Sequence, residues 1–212
     1  MENFNRPEND QSLVQPDAMQ LCLVVRDDLV PLFFRLLSQG VVIFIQAGSS
    51  IKELLCGQLG IQEDYLDDRI KTIFLNSKAV DDVDSAIVAN ESTLALSGPM
   101  PGLAGATFRR GGFFSGMRSQ ISYDKTQSDA PKGTGEIRLK LFNLVVKELG
   151  PTFLERGVWL KQKQLQDFIS ENVDHLTKGC KSAKIDGQSI DSTELANIDI
   201  TSTLVQLQVA TV

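Results

Sequence analysis

The residues able to do chemistry are few and scattered. The chain has one histidine, His175, in Asn172-Val173-Asp174-His175-Leu176, and three cysteines, Cys22, Cys56 and Cys180. No Cys-x-x-Cys pair is present, which excludes the common zinc and iron–sulfur ligand sets. No serine or cysteine sits beside His175 for it to activate, and a lone histidine at a helix end reads as a surface or capping residue. Asp81-Asp82-Val83-Asp84 carries three carboxylates. A calcium loop needs ligands at alternate positions, so these read as solvated turn residues. Asp64, Asp67 and Asp68 around Tyr65 read as an exposed connection. Nothing here forms an acid–base pair. We therefore expect no catalytic residue, no metal, no cofactor and no enzymatic activity.

One segment does concentrate functional side chains. Residues 92–123 contain no Asp or Glu but hold Arg109, Arg110 and Arg118. They also hold six of the 16 glycines, interleaved with Met100, Leu103, Phe108, Phe113, Phe114 and Met117. Such a segment reads in three ways. It is an ordered crossover whose phenylalanines pack on a sheet. Or it is a contact surface for a protein partner or for self-association, with Met100, Phe108, Arg109, Arg110, Phe113, Phe114 and Arg118 as the anchors. Or it binds an anion through Arg109, Arg110 and the amides of Gly111 and Gly112. No phosphate-binding G-x-x-x-x-G-K-[ST] motif occurs, and Gly98 to Gly105 lacks the G-x-G-x-x-G spacing. A single Arg-Gly-Gly-Phe is a weak nucleic-acid signal.

The elements that must position this segment are those of a soluble globular protein. The 212 residues carry 21 Lys+Arg against 27 Asp+Glu, a formal net charge of −6, with 42% hydrophobic residues. That acidic total argues against a nucleic-acid coat. The most hydrophobic stretch, Leu29 to Ile45, is broken by Pro31, Arg35, Ser38, Gln39 and Gly40 and is too short to span a bilayer. The first residues lack an apolar core of the secretory kind. Three unpaired cysteines among apolar neighbours read as buried thiols in a reducing compartment, so a cytoplasmic, membrane-free setting is expected.

The sequence also repeats itself. Arg35 to Ile43 lines up with Thr152 to Leu160, and Ile73 to Asp81 with Ala183 to Asp191. Ser92-Thr93-Leu94 matches Ser202-Thr203-Leu204. Ile51, Leu54 and Leu55 correspond to Leu165, Phe168 and Ile169, and Leu21, Leu23 and Val25 to Ile137, Leu139 and Leu141. The five blocks keep their order. Each copy opens with alternating apolar residues, the mark of a half-buried strand. A second strand follows Gly40 or Gly157, and a helix comes next. In the first copy Ser50 and Glu53 form a capping-box pattern. A third strand meets a tight turn at Asn76-Ser77 or Asp186-Gly187, the latter suited to a type I′ hairpin. A short strand and a final strand complete the copy.

Strand, strand, helix, strand, short strand, strand is the order of a β-grasp unit. We expect an α+β fold built by tandem duplication of this ubiquitin-like unit. The division would be a flexible tail over 1–18, repeat one over 19–98, a Gly-rich basic and aromatic connection with linker over 99–135, and repeat two over 136–212. Within repeat one, Ser49 to Leu55 with Leu59-Gly60-Ile61 resembles the helix region of the small sulfur-carrier proteins of thiamine and molybdopterin synthesis. Phe74 to Asp82 resembles their third strand and turn. Thr93 to Gly105 resembles the last strand and glycine tail. The resemblance implies a β-grasp shape, and for the carriers themselves chemistry at a C-terminal glycine carboxylate. Here the sequence ends Val209-Ala210-Thr211-Val212, so that chemistry is not expected. The function expected is that of a non-enzymatic binding or scaffold protein that contacts a protein partner, or itself, through residues 98–118. The alternatives are sulfur-carrier-like participation in cofactor biosynthesis and an anion- or small-molecule-binding module.

Overall fold

The structure, a computed structural model, describes residues 18–123 and 130–212. The expected tail, apart from Ala18, and residues 124–129 of the expected linker lie outside the described residues. The fold is mixed α+β. In chain order the elements are β1 (Met19–Val25), α1 (Val30–Gln39), β2 (Val41–Ala47), β3 (Ser49–Ser50), a π-helical turn over Glu53–Gln58 and α2 (Glu63–Asp68). Then come β4 (Thr72–Leu75), β5 (Lys78–Ala79), β6 (Ile87–Val88), β7 (Thr93–Ser97), α3 (Gly102–Phe108) and a 3₁₀ helix over Phe113–Ile121. The chain continues with β8 (Gly133–Phe142), α4 (Asn143–Arg156), β9 (Val158–Lys161), α5 (Gln162–Gly179), β10 (Cys180–Ile185) and β11 (Gln188–Ile190). A second 3₁₀ helix over Ser192–Asn197 precedes β12 (Leu204–Thr211).

These elements form two compact units that interleave along the chain. One unit takes Ile43–Val146, and the other joins residues 18–42 to Lys147–Val212. The expected repeats are consecutive, over 19–98 and 136–212, and the compact units are not. Each half of the sequence places its first strand among the strands of the other half.

In the unit over Ile43–Val146 the strands run β2-β8-β7-β4-β5. β8 lies parallel to β7, with Leu94 opposite Leu139 and Leu96 opposite Leu141. Parallel neighbours cannot be joined by a hairpin, so the chain must cross over between them. The glycine- and arginine-rich segment is that crossover. The alternation read from the sequence holds, since Ile137, Leu139 and Leu141 are all buried. The expected capping box is also present. Glu53 N–H donates to Ser50 Oγ (3.1 Å), and Ser50 N–H donates to Glu53 Oε2 (2.9 Å). Ile51, Leu54 and Leu55 behind it are fully buried.

In the other unit the order is β11-β10-β1-β12-β9. β1 runs parallel to β12 and antiparallel to β10, with Leu21 opposite both Leu207 and Ile185. Leu21, Leu23 and Val25 are buried, as are Phe33, Leu165 and Phe168 of the same unit. The rings of Phe33 and Phe168 lie 5.2 Å apart. Trp159 is buried, as its place on β9 requires.

One element type differs from the expectation. A helix stands between the first and second strands of each half, α1 in one and α4 in the other, where the sequence reading passed from strand to strand. Both helices end on a glycine with positive φ, Gly40 at 111° and Gly157 at 92°. Only glycine takes such backbone angles freely, which is why the matched blocks centre on these two residues.

Candidate functional site

Residues 98–123 are ordered by their polar groups. Arg118 is only 2% exposed. Its Nη2 donates to Asp81 Oδ1 at 2.6 Å, its Nε to the Thr107 carbonyl at 2.7 Å and its Nη1 to Ser122 Oγ at 3.3 Å. The same Asp81 oxygen accepts the Gly111 N–H at 2.9 Å. Arg110 reaches the last turn of α2, where its Nη2 donates to the Leu66 carbonyl (3.1 Å) and to Asp67 Oδ1 (2.8 Å). A cation there satisfies a carbonyl that the helix end leaves open and meets the negative end of its dipole. The Arg110 backbone N–H donates to Lys71 O at 2.8 Å, while its Nη1 is buried with no partner among the described residues.

Two further contacts seat the segment. The Phe108 ring lies 5.2 Å from that of Phe74 on β4. Ser122 bridges to Ala79 in parallel, and Tyr123 N–H donates to Ala79 O at 2.8 Å. β5 is the edge strand of its unit, so this bridge covers part of an open edge. Gly105 is buried, and a Cβ there would sit 1.8 Å from the Met100 carbonyl oxygen, so no other residue fits.

The large apolar side chains face the other way. Seven large hydrophobic residues are exposed among the described residues, and Leu103, Phe113, Phe114, Met117 and Ile121 are five of them. Phe113 is 95% exposed and Met117 72%. Phe113 and Phe114 pack edge to face at 5.2 Å. The segment is thus inverted, with charge inside and hydrocarbon outside.

The expected contact residues therefore divide. Phe113, Phe114 and Arg109 are exposed, and Met100 and Phe108 are half-buried. Arg118 is a correction: it braces the segment from within and offers nothing to a partner. Arg110 is mostly engaged in the same way. The expected anion site is also not assembled. Gly111 N–H serves Asp81, Gly112 N–H serves the Arg109 carbonyl at 3.0 Å, and Arg110 faces a carboxylate, which leaves Arg109 alone. Sequence reasoning took Asp67 as part of an exposed connection and Asp81 as a solvated turn residue, noted Leu103 without counting it among the contact residues, and missed Ile121. The available signal was three arginines without a local acid, since buried cations require partners from elsewhere.

The remaining candidates have structural employment. Asp82 Oδ1 accepts the N–H groups of Asp84 (3.1 Å) and Ser85 (3.3 Å), closing a turn. Among the described residues no cluster of three or more His, Cys, Asp or Glu could hold a metal ion. His175 is exposed on α5. All three cysteines are free; Cys180 is buried, while Cys22 and Cys56 are only partly so. Burial pushes the Cys56 and Cys180 thiols above their ordinary range, which disfavours the nucleophilic thiolate.

A polar cleft of about 390 Å³ opens in the unit of β10–β12, beside Met19, Asp186, Asp199 and Ser202. Its polar atoms tie down β1: Gln20 N–H donates to Asp186 Oδ1 (2.8 Å) and Met19 N–H to Ser202 Oγ (3.3 Å). None of the expected site residues borders it. No described helix is long and apolar enough to cross a membrane. No protein-family model matches this sequence, and no curated protein or solved structure matches it either.

Proposed function

We propose that the chain is a non-enzymatic binding or scaffold protein whose contact surface is the α3 and 3₁₀ segment over residues 98–121. The observation that carries this reading is the inversion of that segment. Solvent-exposed apolar patches are small on proteins that work alone, and aromatic and methionine side chains are the usual anchors of protein interfaces. Buried Arg118 and half-buried Arg110 hold the two short helices in place, so the apolar side chains are presented from a fixed base. Pre-organisation of this kind lowers the ordering cost of association.

The absence of catalysis is part of the same reading. It is supported by the structural employment of Asp81, Asp82, Arg110 and Arg118. A cytoplasmic setting is supported by three unpaired thiols. A duplicated β-grasp ancestry is supported by the two hairpins β4–β5 and β10–β11, which keep the same register at matched positions. The helices α1 and α4 are then additions to that plan.

Affinity capture from native lysate tests the function, with the intact chain compared with Phe113→Ser/Phe114→Ser. The intact chain should retain a specific partner, another protein or further copies of itself, and the variant should lose it at an unchanged melting temperature. A variant that melts would show that the pair belongs to the core. Equal retention by both chains would place the contact elsewhere.

A further inference from the structure

We propose that the face carrying Leu103, Phe113, Phe114, Met117 and Ile121 joins a second copy of this chain, face against face. This rests on the binding role given above and names its partner. Three observations point to the same occupant.

The first is area. At about 200 Å² for a large side chain, these exposures amount to roughly 640 Å² per chain. A standard interface takes about 800 Å² from each partner. The largest patch left open on a typical monomer is about 300–600 Å². A single symmetric contact through this face would therefore be of ordinary size and would remove the excess.

The second is charge. Three arginines would make the segment a magnet for acidic peptides or anionic lipid if they were free, since such partners are drawn by clustered cations. Arg110 and Arg118 are instead neutralised in place by Asp67 and Asp81. Of the three arginines only Arg109 remains available, so they add little net charge to the face. Its best match is another neutral apolar surface, and an identical one meets that condition without a charge opposite to its own.

The third is self-complementarity. A two-fold contact sets each residue of a patch against another residue of the same patch. Unbranched Met117 and the edge-to-face pair Phe113/Phe114 offer the shape tolerance that such a contact needs.

Sedimentation equilibrium of the full chain, from low to high micromolar concentration, reads the result. We expect a monomer–dimer equilibrium, weakened at least about tenfold by Phe113→Ser/Met117→Ser at an unchanged circular dichroism spectrum. A photo-crosslinking amino acid at position 113 should join residues 103–121 of a second copy. A dimer indifferent to the double variant overturns the proposal. So does a monomer throughout the range that instead sediments with phosphatidylcholine vesicles. A monomer whose position 113 crosslinks to a different protein in cells overturns the second copy but keeps the binding face. A monomer whose position 113 crosslinks to nothing overturns both.

Discussion

The hairpins β4–β5 and β10–β11 occupy matched places in the two halves, and their differences are instructive. Each closes on two residues with positive φ, Asn76 (49°) with Ser77 (66°) and Asp186 (48°) with Gly187 (82°). In each, the residues that flank the turn pair with one another, Leu75 with Lys78 and Ile185 with Gln188. An aspartate stands three residues after the first residue of each short strand, Asp81 after Lys78 and Asp191 after Gln188, and there the likeness ends. Asp81 holds Arg118 and the Gly111 amide of the crossover. Asp191 turns to its own chain, accepting the Thr193 N–H (2.8 Å) and hydroxyl (2.6 Å) to cap the helix over Ser192–Asn197. Local chemistry repeats where the sequence repeats. The use made of it depends on what the rest of the chain brings alongside.

The largest expected effect breaks this comparison at its aspartates. Asp81→Ala leaves the buried guanidinium of Arg118 without its carboxylate. Removing one member of a buried pair costs about 3–5 kcal/mol. Asp81 keeps 39% of its side chain in solvent, so about 3 kcal/mol, the low end, is expected in urea denaturation. Hydrogen exchange should show residues 103–121 losing protection first. Unchanged stability would mean that Arg118 is not the anchor.

A smaller effect sharpens the comparison at the turns. Ser77→Gly gives the first hairpin the glycine of the second and should stabilise it by about 1 kcal/mol, the penalty that a left-handed conformation places on an L-residue. Gly187→Ser should cost a similar amount. Nothing lies within 4 Å of a Cβ at Gly187, so backbone strain alone is being measured. Melting temperatures that move in the same direction for both variants would show that the turns are not equivalent.

The smallest effect is at Asp191. The Thr193 hydroxyl and N–H hold its carboxyl below the usual range, the hydroxyl most strongly. A carboxyl lowered on folding adds stability above its unfolded pKa of about 4. That stability is lost as the pH falls through the lowered value. Asp191→Ala should therefore be slightly less stable than the parent at neutral pH, and the difference should vanish in acid. A difference that persists at low pH would mean that the cap works through something other than the ionised carboxylate.

Much of the local structure was legible. Alternation at Leu21, Leu23 and Val25 and at Ile137, Leu139 and Leu141 marked strands that the fold contains. Ser50 with Glu53 marked a helix start, and Asp186-Gly187 marked a turn. The helices α1 and α4 were not read. In α1 the buried Val30, Phe33, Leu36 and Leu37 recur at helical spacing on one face, a signal that the reading as one hydrophobic stretch passed over, and Pro151 lies inside α4, where it reads as a break. The candidate site was half legible. Its exposed phenylalanines and its paired arginines are of the same residue types that the sequence offered together as contact anchors. Only burial separates them.

By itself the sequence determined everything set by near neighbours: strand alternation, the glycines that end α1 and α4, the hairpin turns, the capping box and the acid-free, glycine-rich character of residues 92–123. Such features depend on backbone sterics and hydrogen bonds within a few residues, and these act the same way wherever the segment lies. The tertiary structure decided which strand each first strand lies beside, which aspartate meets Arg118, and that Phe113 faces outward while Arg118 faces inward. Those outcomes depend on which groups become neighbours once the chain is compact. A carboxylate such as Asp81, distant in sequence, makes a buried cation tolerable, and no described residue covers Phe113.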